Sequence, residues 1–294
     1  MPELRILIFG GLGNQLFQYA AGVYLSRKWN WDLILYSASD DGSPQHPRAF
    51  QLDKFSIPYP VRPLRGLTRL VRSGRLQRLP CGDQVFRCLL GGQRLVESRP
   101  YTCDPLLESP PVRSPTWMVG YWQVAAYAEA CSELLRQQLC FRESAAGRNA
   151  ELLAEIQTQT NSVSLHIRRG DYTAVASGAN ILPLSYYEKA IAQLAQRIPD
   201  SHYYVFSDDI PWARTNLPKN LSITYVAHND EHHGHEDLRL MAACRHHIIA
   251  NSSFSWWGAW LGNHTACVTF APSPWIGSCI PNELYVPLWH TLEY

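Results

Sequence analysis

No stretch of the sequence approaches the run of about 18 consecutive apolar residues that a membrane-spanning helix needs. Net charge is nearly absent too: 26 Lys plus Arg stand against 25 Asp plus Glu, +1 overall. That balance excludes a protein built globally to coat nucleic acid. The eight cysteines (Cys81, Cys88, Cys103, Cys131, Cys140, Cys244, Cys267, Cys279) contain no C-x-x-C pair, which argues against a zinc or redox motif. At the start, Met1-Pro2-Glu3 leads into an apolar run from Leu4 to Phe9, too short for a signal core and without a small-residue cleavage site. The expectation is a cytoplasmic protein with reduced, mostly packed thiols. With 294 residues, 46% hydrophobic and 17% charged, the chain can bury one large or two ordinary cores, and it is neither a disordered chain nor a disulfide-stapled miniprotein.

The near-zero total hides a split. Residues 1–150 carry 18 basic and 12 acidic side chains (+6), and 151–294 carry 8 and 13 (−5). Strand-like and helix-like runs alternate along the chain. Strands are predicted over 4–9, 33–36, 163–167, 203–206, 223–226 and 248–249, and helices over 15–29, 185–197, 236–244 and 254–261. This alternation predicts an α/β protein with mainly parallel sheets. It breaks between about 40 and 115, where Pro and Arg dominate, and Glu143-Ser144-Ala145-Ala146-Gly147 reads as a linker into a second unit. The expected domains are 1–150 and 151–294. Within the irregular stretch Arg62, Arg65, Arg69, Arg72 and Arg75 recur every three or four residues. That spacing predicts an amphipathic basic helix, either a solvated face or a surface for a membrane or an anionic glycan.

Gly10-Gly11-Leu12-Gly13-Asn14-Gln15 follows the first strand and opens a helix, so its backbone N–H groups suit phosphate or other electron-rich oxygens. With Asp32 downstream it invites a dinucleotide-binding reading, but Leu16 stands where that fingerprint has its third glycine. In Ser164-Leu165-His166-Ile167-Arg168-Arg169-Gly170-Asp171-Tyr172, the strand pattern sends Val163, Leu165 and Ile167 to the core. His166 and Arg168 then share the other face at the strand's carboxyl end. Paired arginines there suit pyrophosphate, or one of them pairs with Asp171. Ser207-Asp208-Asp209 ends another strand. It lacks the acid-x-acid spacing of metal-dependent sugar-nucleotide enzymes, and Ser207 or Asp208 is expected to cap the next helix. Asn251-Ser252-Ser253-Phe254 offers a second helix-start cradle for phosphate. Trp256, Trp257 and Trp260 behind it are expected in the core. His228, His232, His233 and His235 could ligate a metal, but their polar, Gly234-interrupted context reads better as a solvated loop.

Taken in order, Gly10 to Ala20, Gly120-Tyr121-Trp122-Gln123, His166 to Tyr172, Phe206 to Asp209, Asp237 to Met241 and Asn251 to Trp257 resemble the α-1,2-fucosyltransferases of glycosyltransferase family 11. The resemblance spans nearly the whole chain and implies a GT-B type α/β fold, two Rossmann-like domains facing each other across a cleft. It also implies inverting, metal-independent transfer of fucose from GDP-β-L-fucose to the 2-hydroxyl of a terminal galactose. The donor is held mainly by the second domain and the acceptor glycan is reached from the first.

By motif position the resemblance implies that Arg168 binds the β-phosphate and stabilises departing GDP, and that His166 and Asp237 approach the nucleoside, with Asp237 accepting from guanine. Asp208, Ser252, Ser253 and Phe254 line the donor, and Gly11, Gly13 and Asn14 reach the fucose or diphosphate. Asp171 organises the two arginines and is a candidate general base. Related α-1,6 enzymes carry a glutamate a few residues downstream, where this chain reads Thr173-Ala174-Val175-Ala176-Ser177. No cofactor, metal or nucleic acid is implied. Another fucosyl linkage, or a glycan-binding protein that kept the fold without turnover, are the alternative readings. The missing membrane anchor points to a bacterial-type enzyme, at most peripheral at the inner membrane.

Overall fold

The computed structural model describes residues 1–37, 49–64, 82–170, 180–262, 264–279, 281 and 283–294. The chain divides into two compact units, Met1–Arg142 with Asn282–Leu284, and Glu143–Pro281 with Tyr285–Tyr294. The expected division at 150/151 falls inside a helix, Gly147–Thr158, that belongs wholly to the second unit.

In the first unit, strands β1 (Glu3–Ile8), β2 (Asp32–Ser37), β3 (Val61–Pro63), β4 (Gln93–Val96) and β5 (Thr116–Val119) form a parallel sheet in the order β3-β2-β1-β5-β4. The helices are α1 (Leu12–Trp29), α2 (Gly82–Leu90), α3 (Ala125–Glu129) and α4 (Ser132–Gln138). Of the 18 residues of α1, 14 are buried, so this helix is enclosed nearly all round and its polar side chains must find protein partners. The chain order reverses beside β1, between β2 and β5, which makes the carboxyl ends of β1 and β5 the unit's switch point.

The second unit holds β6 (Ser162–Ile167), β7 (His202–Ser207), β8 (Ser222–Val226), β9 (His246–Ile248), β10 (Thr269–Ser273) and β11 (His290–Glu293), parallel throughout in the order β11-β10-β9-β6-β7-β8. Its helices are α5 (Gly147–Thr158), α6 (Leu184–Arg197), α7 (Ile210–Asn216), α8 (Gly234–Ala243) and α9 (Ser253–Leu261). On one face Val163, Leu165, Ile167, Tyr203 and Val205 pack with Tyr186, Ala190 and Leu194 of α6 and Ala213 of α7. On the other, Tyr204 and Phe206 pack with Leu152 and Ile156 of α5 and Leu240 and Met241 of α8. Each of these large side chains contributes roughly 1.5–3 kcal/mol by leaving water. The alternation read in β6 is real, but its polar face is not solvated. All six residues are buried because helices cover both faces of the sheet. Ser164 accordingly finds a partner in His247 Nδ1 at 2.7 Å. Trp256, Trp257 and Trp260 are core, at 0%, 0% and 3% exposure.

Three expectations need correction. Arg62 lies in the exposed strand β3, in register with Tyr36 of β2, and not in a helix; 65–81 lie outside the described residues. Farther along, Arg87, Arg94 and Arg113 line a cavity of about 370 Å³ with Asp83 and Phe86. Asp32 pairs with Glu3 at the amino end of β2, so it stands at the opposite end of the sheet from the glycine turn and cannot serve a ribose there. The thiols are less packed than expected. Cys131 and Cys244 are buried, but Cys88, Cys140 and Cys279 are exposed, all unbridged.

Candidate functional site

The second unit's chain reverses between β6 and β9, the place where open parallel sheets bind ligands at their carboxyl ends. Leu165 is in register with Ile248. Continuing that register three residues puts Arg168, just past β6, beside Asn251, just past β9. His166, at 5% exposure, tilts against the Phe254 ring with centroids 5.8 Å apart. Burial, reinforced by the neighbouring Arg168 charge, pushes its pKa down to about 3, so the imidazole is neutral at physiological pH. Its Nδ1 is buried with no hydrogen-bond partner among the described residues. An orphaned polar atom in such a place is costly unless a ligand or water completes it.

Arg168 pairs with Asp208 at 3.1 Å, both side chains roughly three-quarters buried (23% and 24% exposed). The other Asp208 oxygen accepts from the Arg169 backbone N–H at 2.8 Å. The helix cap is Asp209 and not Asp208: its Oδ1 accepts from Trp212 N at 3.0 Å, its Oδ2 meets Arg169 Nε at 3.3 Å, and the Arg169 guanidinium lies 4.1 Å from the Trp212 ring centroid. Asp208 and Asp209 engage the two arginines; Asp171, also expected to organise them, lies outside the described residues. Past β9, Ser252 caps α9 by accepting from Phe254 N at 3.3 Å, leaving Ser253 in the helix's first turn.

Helices α8 and α9 run in the same direction on one face of the sheet. They touch so closely that a Cβ at Gly258 would lie 2.9 Å from the Met241 Cβ. One turn earlier on each helix stand Asp237 and Phe254. Asp237 accepts from Asn229 Nδ2 at 2.7 Å. Burial, aided by Glu236, raises its pKa to about 7 against the lowering effect of that bond. A flat aromatic face beside a carboxylate poised to accept two parallel N–H donors is a chemistry suited to a purine edge.

The first unit's switch point is built separately. Gly10 has φ +78°, so the conformational demand of the turn falls on it, while Gly11 at φ −67° caps α1 and a Cβ there would meet open space. Gly13 is buried inside α1. Asn14 Oδ1 accepts from Gln123 Nε2 at 2.8 Å, which joins the glycine turn to the 120–123 segment after β5. Glu97 braces that segment, accepting from Tyr121 N at 2.8 Å and Trp122 N at 2.9 Å and so holding Trp122 at φ +54°. Burial raises the Glu97 pKa and those two bonds oppose the rise. Tyr121 remains 40% exposed.

Several of these residues escaped the sequence reading. Gln15 Nε2 donates to Gly10 O and Ala49 O at 2.8 Å each, and Gln18 links Phe9 N (2.9 Å) to Gly120 O (3.1 Å). The signal was present: amides inside a helix of otherwise apolar and small residues require partners. Glu97, Asn149 and Asn229 carried no such local signal, because their partners are 24, 80 and 8 residues away. The histidines divide. His232 and His233 are exposed, with His233 on Asp230 at 2.7 Å, and His235 lies 3.5 Å from Glu236. Among the described residues no group of three His, Cys, Asp or Glu is placed to hold a metal ion.

A family model described as Glycosyl transferase family 11 matches residues 106–292. The O-antigen biosynthesis glycosyltransferase WbnK of Escherichia coli is 30% identical over 298 residues, covering 96% of this chain and 98% of its own length. An alpha-1,2-colitosyltransferase of Escherichia coli is 32% identical over 285 residues, 90% of each chain. The mouse galactoside alpha-(1,2)-fucosyltransferase 2 is 27% identical over 135 residues, 43% of this chain and 39% of its own. Among solved structures, fucosyltransferase NodZ from Bradyrhizobium matches with a TM-score of 0.55 at 13% identity, over 92% of this chain and 94% of that one. This last likeness is one of fold: two parallel α/β units of GT-B type.

Proposed function

The chain belongs to glycosyltransferase family 11, and from that premise we propose that it transfers L-fucose from GDP-β-L-fucose to the 2-hydroxyl of a terminal galactose. The observation that carries the donor reading is the convergence at the β6/β9 switch point. There a buried neutral His166 with an unfilled Nδ1, the braced Arg168 and the capped start of α9 come together. Directed N–H groups and one fixed guanidinium suit a diphosphate.

In this reading the acceptor 2-hydroxyl oxygen attacks fucose C1 on the face opposite GDP. The C1–O bond to phosphate breaks, its electron pair leaves with GDP, and the configuration inverts from β to α. Arg168 stabilises charge gathering on the leaving diphosphate, typically the largest single contribution in such sites. Asp208, which also lines the donor site, positions Arg168. Asp237 accepts from the guanine edge, Phe254 packs on the base, and Ser252 and Ser253 present the helix-start N–H groups to phosphate. The engagement of Asp208 and Asp209 by Arg168 and Arg169 supports transfer without a metal ion. In the first unit, Gly11 and Asn14 at the glycine turn and Tyr121 and Gln123 after β5 offer backbone, amide and aromatic surface for sugars, while Gly13 lies buried behind them in α1. Asp171 is the candidate base for the hydroxyl proton, a role that contributes about 10²- to 10⁴-fold where it operates.

The colitosyltransferase relative favours a second reading in which the sugar transferred is colitose. Incubation of the protein with lactose and each GDP-sugar, in the presence of EDTA, decides between them. Turnover of GDP-fucose with an α-1,2-linked product by NMR is the expected result. Turnover of GDP-colitose alone, or an α-1,6 product, overturns it.

A further inference from the structure

His228 belongs to the histidine-rich loop after β8, and its side chain reaches α5. Its Nε2 meets Asn149 Oδ1 at 2.7 Å. Asn149, in the first turn of α5, and Asn229, in the loop before α8, face each other as a reciprocal amide pair. Asn149 Nδ2 donates to Asn229 Oδ1 at 2.9 Å, and Asn229 Nδ2 donates to Asn149 Oδ1 at 3.0 Å. The remaining Asn229 proton goes to Asp237 Oδ1 at 2.7 Å. An amide nitrogen has two protons to give, and both are committed here. A flipped Asn229 would turn its carbonyl toward the Asp237 carboxylate and break its match with Asn149. A flipped Asn149 would set its carbonyl against the Asn229 carbonyl and its NH₂ against the Asn229 NH₂. The orientation of every group in the chain is therefore fixed by the next.

We infer that Asn149 and Asn229 are positioning residues that lock the Asp237 carboxylate in one orientation and thereby set the purine selectivity of the donor site. This rests on the reading that Asp237 receives the base. Asp237 Oδ2 has no protein partner among the described residues, while Oδ1 is tethered to a structure anchored on a different helix. A carboxylate free to rotate about its last torsion accepts one donor well. A carboxylate pinned at one oxygen presents both acceptors in a fixed plane, and only a base edge with two parallel donors, N1–H and the 2-amino group of guanine, matches it. Hypoxanthine keeps the first donor and lacks the second. Sites built around a buried polar group reject ligands that leave the group unpaired far more strongly than sites that rely on shape.

The test compares GDP with IDP as ligands of the intact protein by calorimetry, and GDP-fucose with IDP-fucose as donors by steady-state kinetics. The unmodified protein is expected to prefer GDP by about 10-fold or more, a hydrogen bond to a charged group. Asn229→Ala should reduce that preference to less than about 3-fold, with the loss falling on the donor KM and not on kcat. Asn149→Ala should move the preference in the same direction, and the double variant should be no worse than Asn229→Ala, because the two act in series. Should Asn229→Ala fail to fold, Asn149→Ala, whose amide touches the carboxylate only through Asn229, carries the comparison. If both variants keep the full GDP preference while Asp237→Asn loses it, the positioning role is wrong and the donor reading stands. If Asp237→Asn leaves the preference intact, the donor reading itself is wrong.

Discussion

Asp237 offers a prediction in which stability and binding move in opposite directions. Burial raises its pKa from 3.8 to about 7. That rise corresponds to roughly 4 kcal/mol of preference for the neutral form in the folded protein. Between pH 4 and pH 7 the unfolded chain has already released this proton while the folded chain retains it. The unfolded state thus binds fewer protons, and stability falls as pH rises through that window. Below pH 4 both states are protonated and the penalty vanishes; above pH 7 both are ionised and it is constant. Asparagine has nearly the same shape and no charge. Asp237→Asn should therefore match the unmodified protein in thermal stability at pH 4 and exceed it increasingly toward pH 7, levelling off beyond.

Relaxation and water entry reduce the full figure, so about 2–4 kcal/mol at pH 8 is the working range, or roughly 4–16 °C in Tm for a unit of this size. The same substitution replaces a carboxylate that accepts from two donors with an amide that can accept from one and opposes the other. GDP affinity should fall by about 10- to 100-fold at pH 8, the loss expected for a hydrogen bond to a charged group. Scanning calorimetry at pH 5, 6, 7 and 8, with GDP titrations at pH 8, tests both halves. A Tm difference that does not change with pH, or an asparagine variant that is less stable at pH 8, would show that Asp237 is not held against its own ionisation. A more stable variant with undiminished GDP affinity would separate the buried charge from the donor.

Arg168→Ala should abolish transfer, a loss of at least 10²- to 10³-fold in kcat, whereas Asp208→Asn should cost only about 10-fold because the guanidinium survives without its brace. Gly170→Ala should imitate Asp208→Asn, since a Cβ there would lie 2.9 Å from Asp208 Oδ2; equal kcat in the three variants would refute the division of roles. The glycines of the first unit should part company. Gly11→Ala meets open space, so it should fold with a loss of about 1 kcal/mol for the poorer cap while activity drops, if ligand approaches that backbone. Gly120→Ala places a Cβ 2.4 Å from the Glu97 Cβ and should cost about 1–3 kcal/mol by overpacking. Denaturant melts beside activity assays resolve the two, and a stable, active Gly120→Ala would remove Glu97 as the brace of the 120–123 segment.

Much of the second unit was legible in sequence because its central strands are short apolar runs between clear helix signals, whereas α5, α7, β10 and β11 carried no comparable signal. Local periodicity identified β6, β7, β8, α6, α8 and α9 to within two or three residues. The first unit was legible only at its start. β3 and β4 are three and four residues long and sit among prolines and arginines, where no period can establish itself, and β4 lies on the sheet edge. The site residues followed the same rule. The placement of His166 and Arg168 was legible because strand alternation puts them at a carboxyl end. Asp209 as cap was missed by one residue because Ser207, Asp208 and Asp209 are all competent caps, and only the tertiary demand of Arg168 and Arg169 decides which is used. The amide pair behind Asp237 was out of reach, since nothing in the chain joins Asn149 to Asn229 except the fold.

The charges around Arg168 add a constraint that counting could not supply. The half of the chain from 151 to 294 carries a net −5, and the two arginines at the switch point are each matched by an aspartate, at 3.1 and 3.3 Å. His166 is neutral at physiological pH. Among the described residues no surplus of positive charge is therefore present there to draw in a diphosphate. Attraction has to arise from groups whose direction is fixed in advance: the N–H groups at the start of α9, oriented by the Ser252 cap, and a guanidinium held in place by Asp208. Such an arrangement recognises phosphate by geometry more than by field. It also explains why the aspartates are an asset beside an anionic ligand. Without Asp208 the guanidinium would keep its charge but lose its aim, and in a site that depends on oriented dipoles the loss of aim is the greater cost.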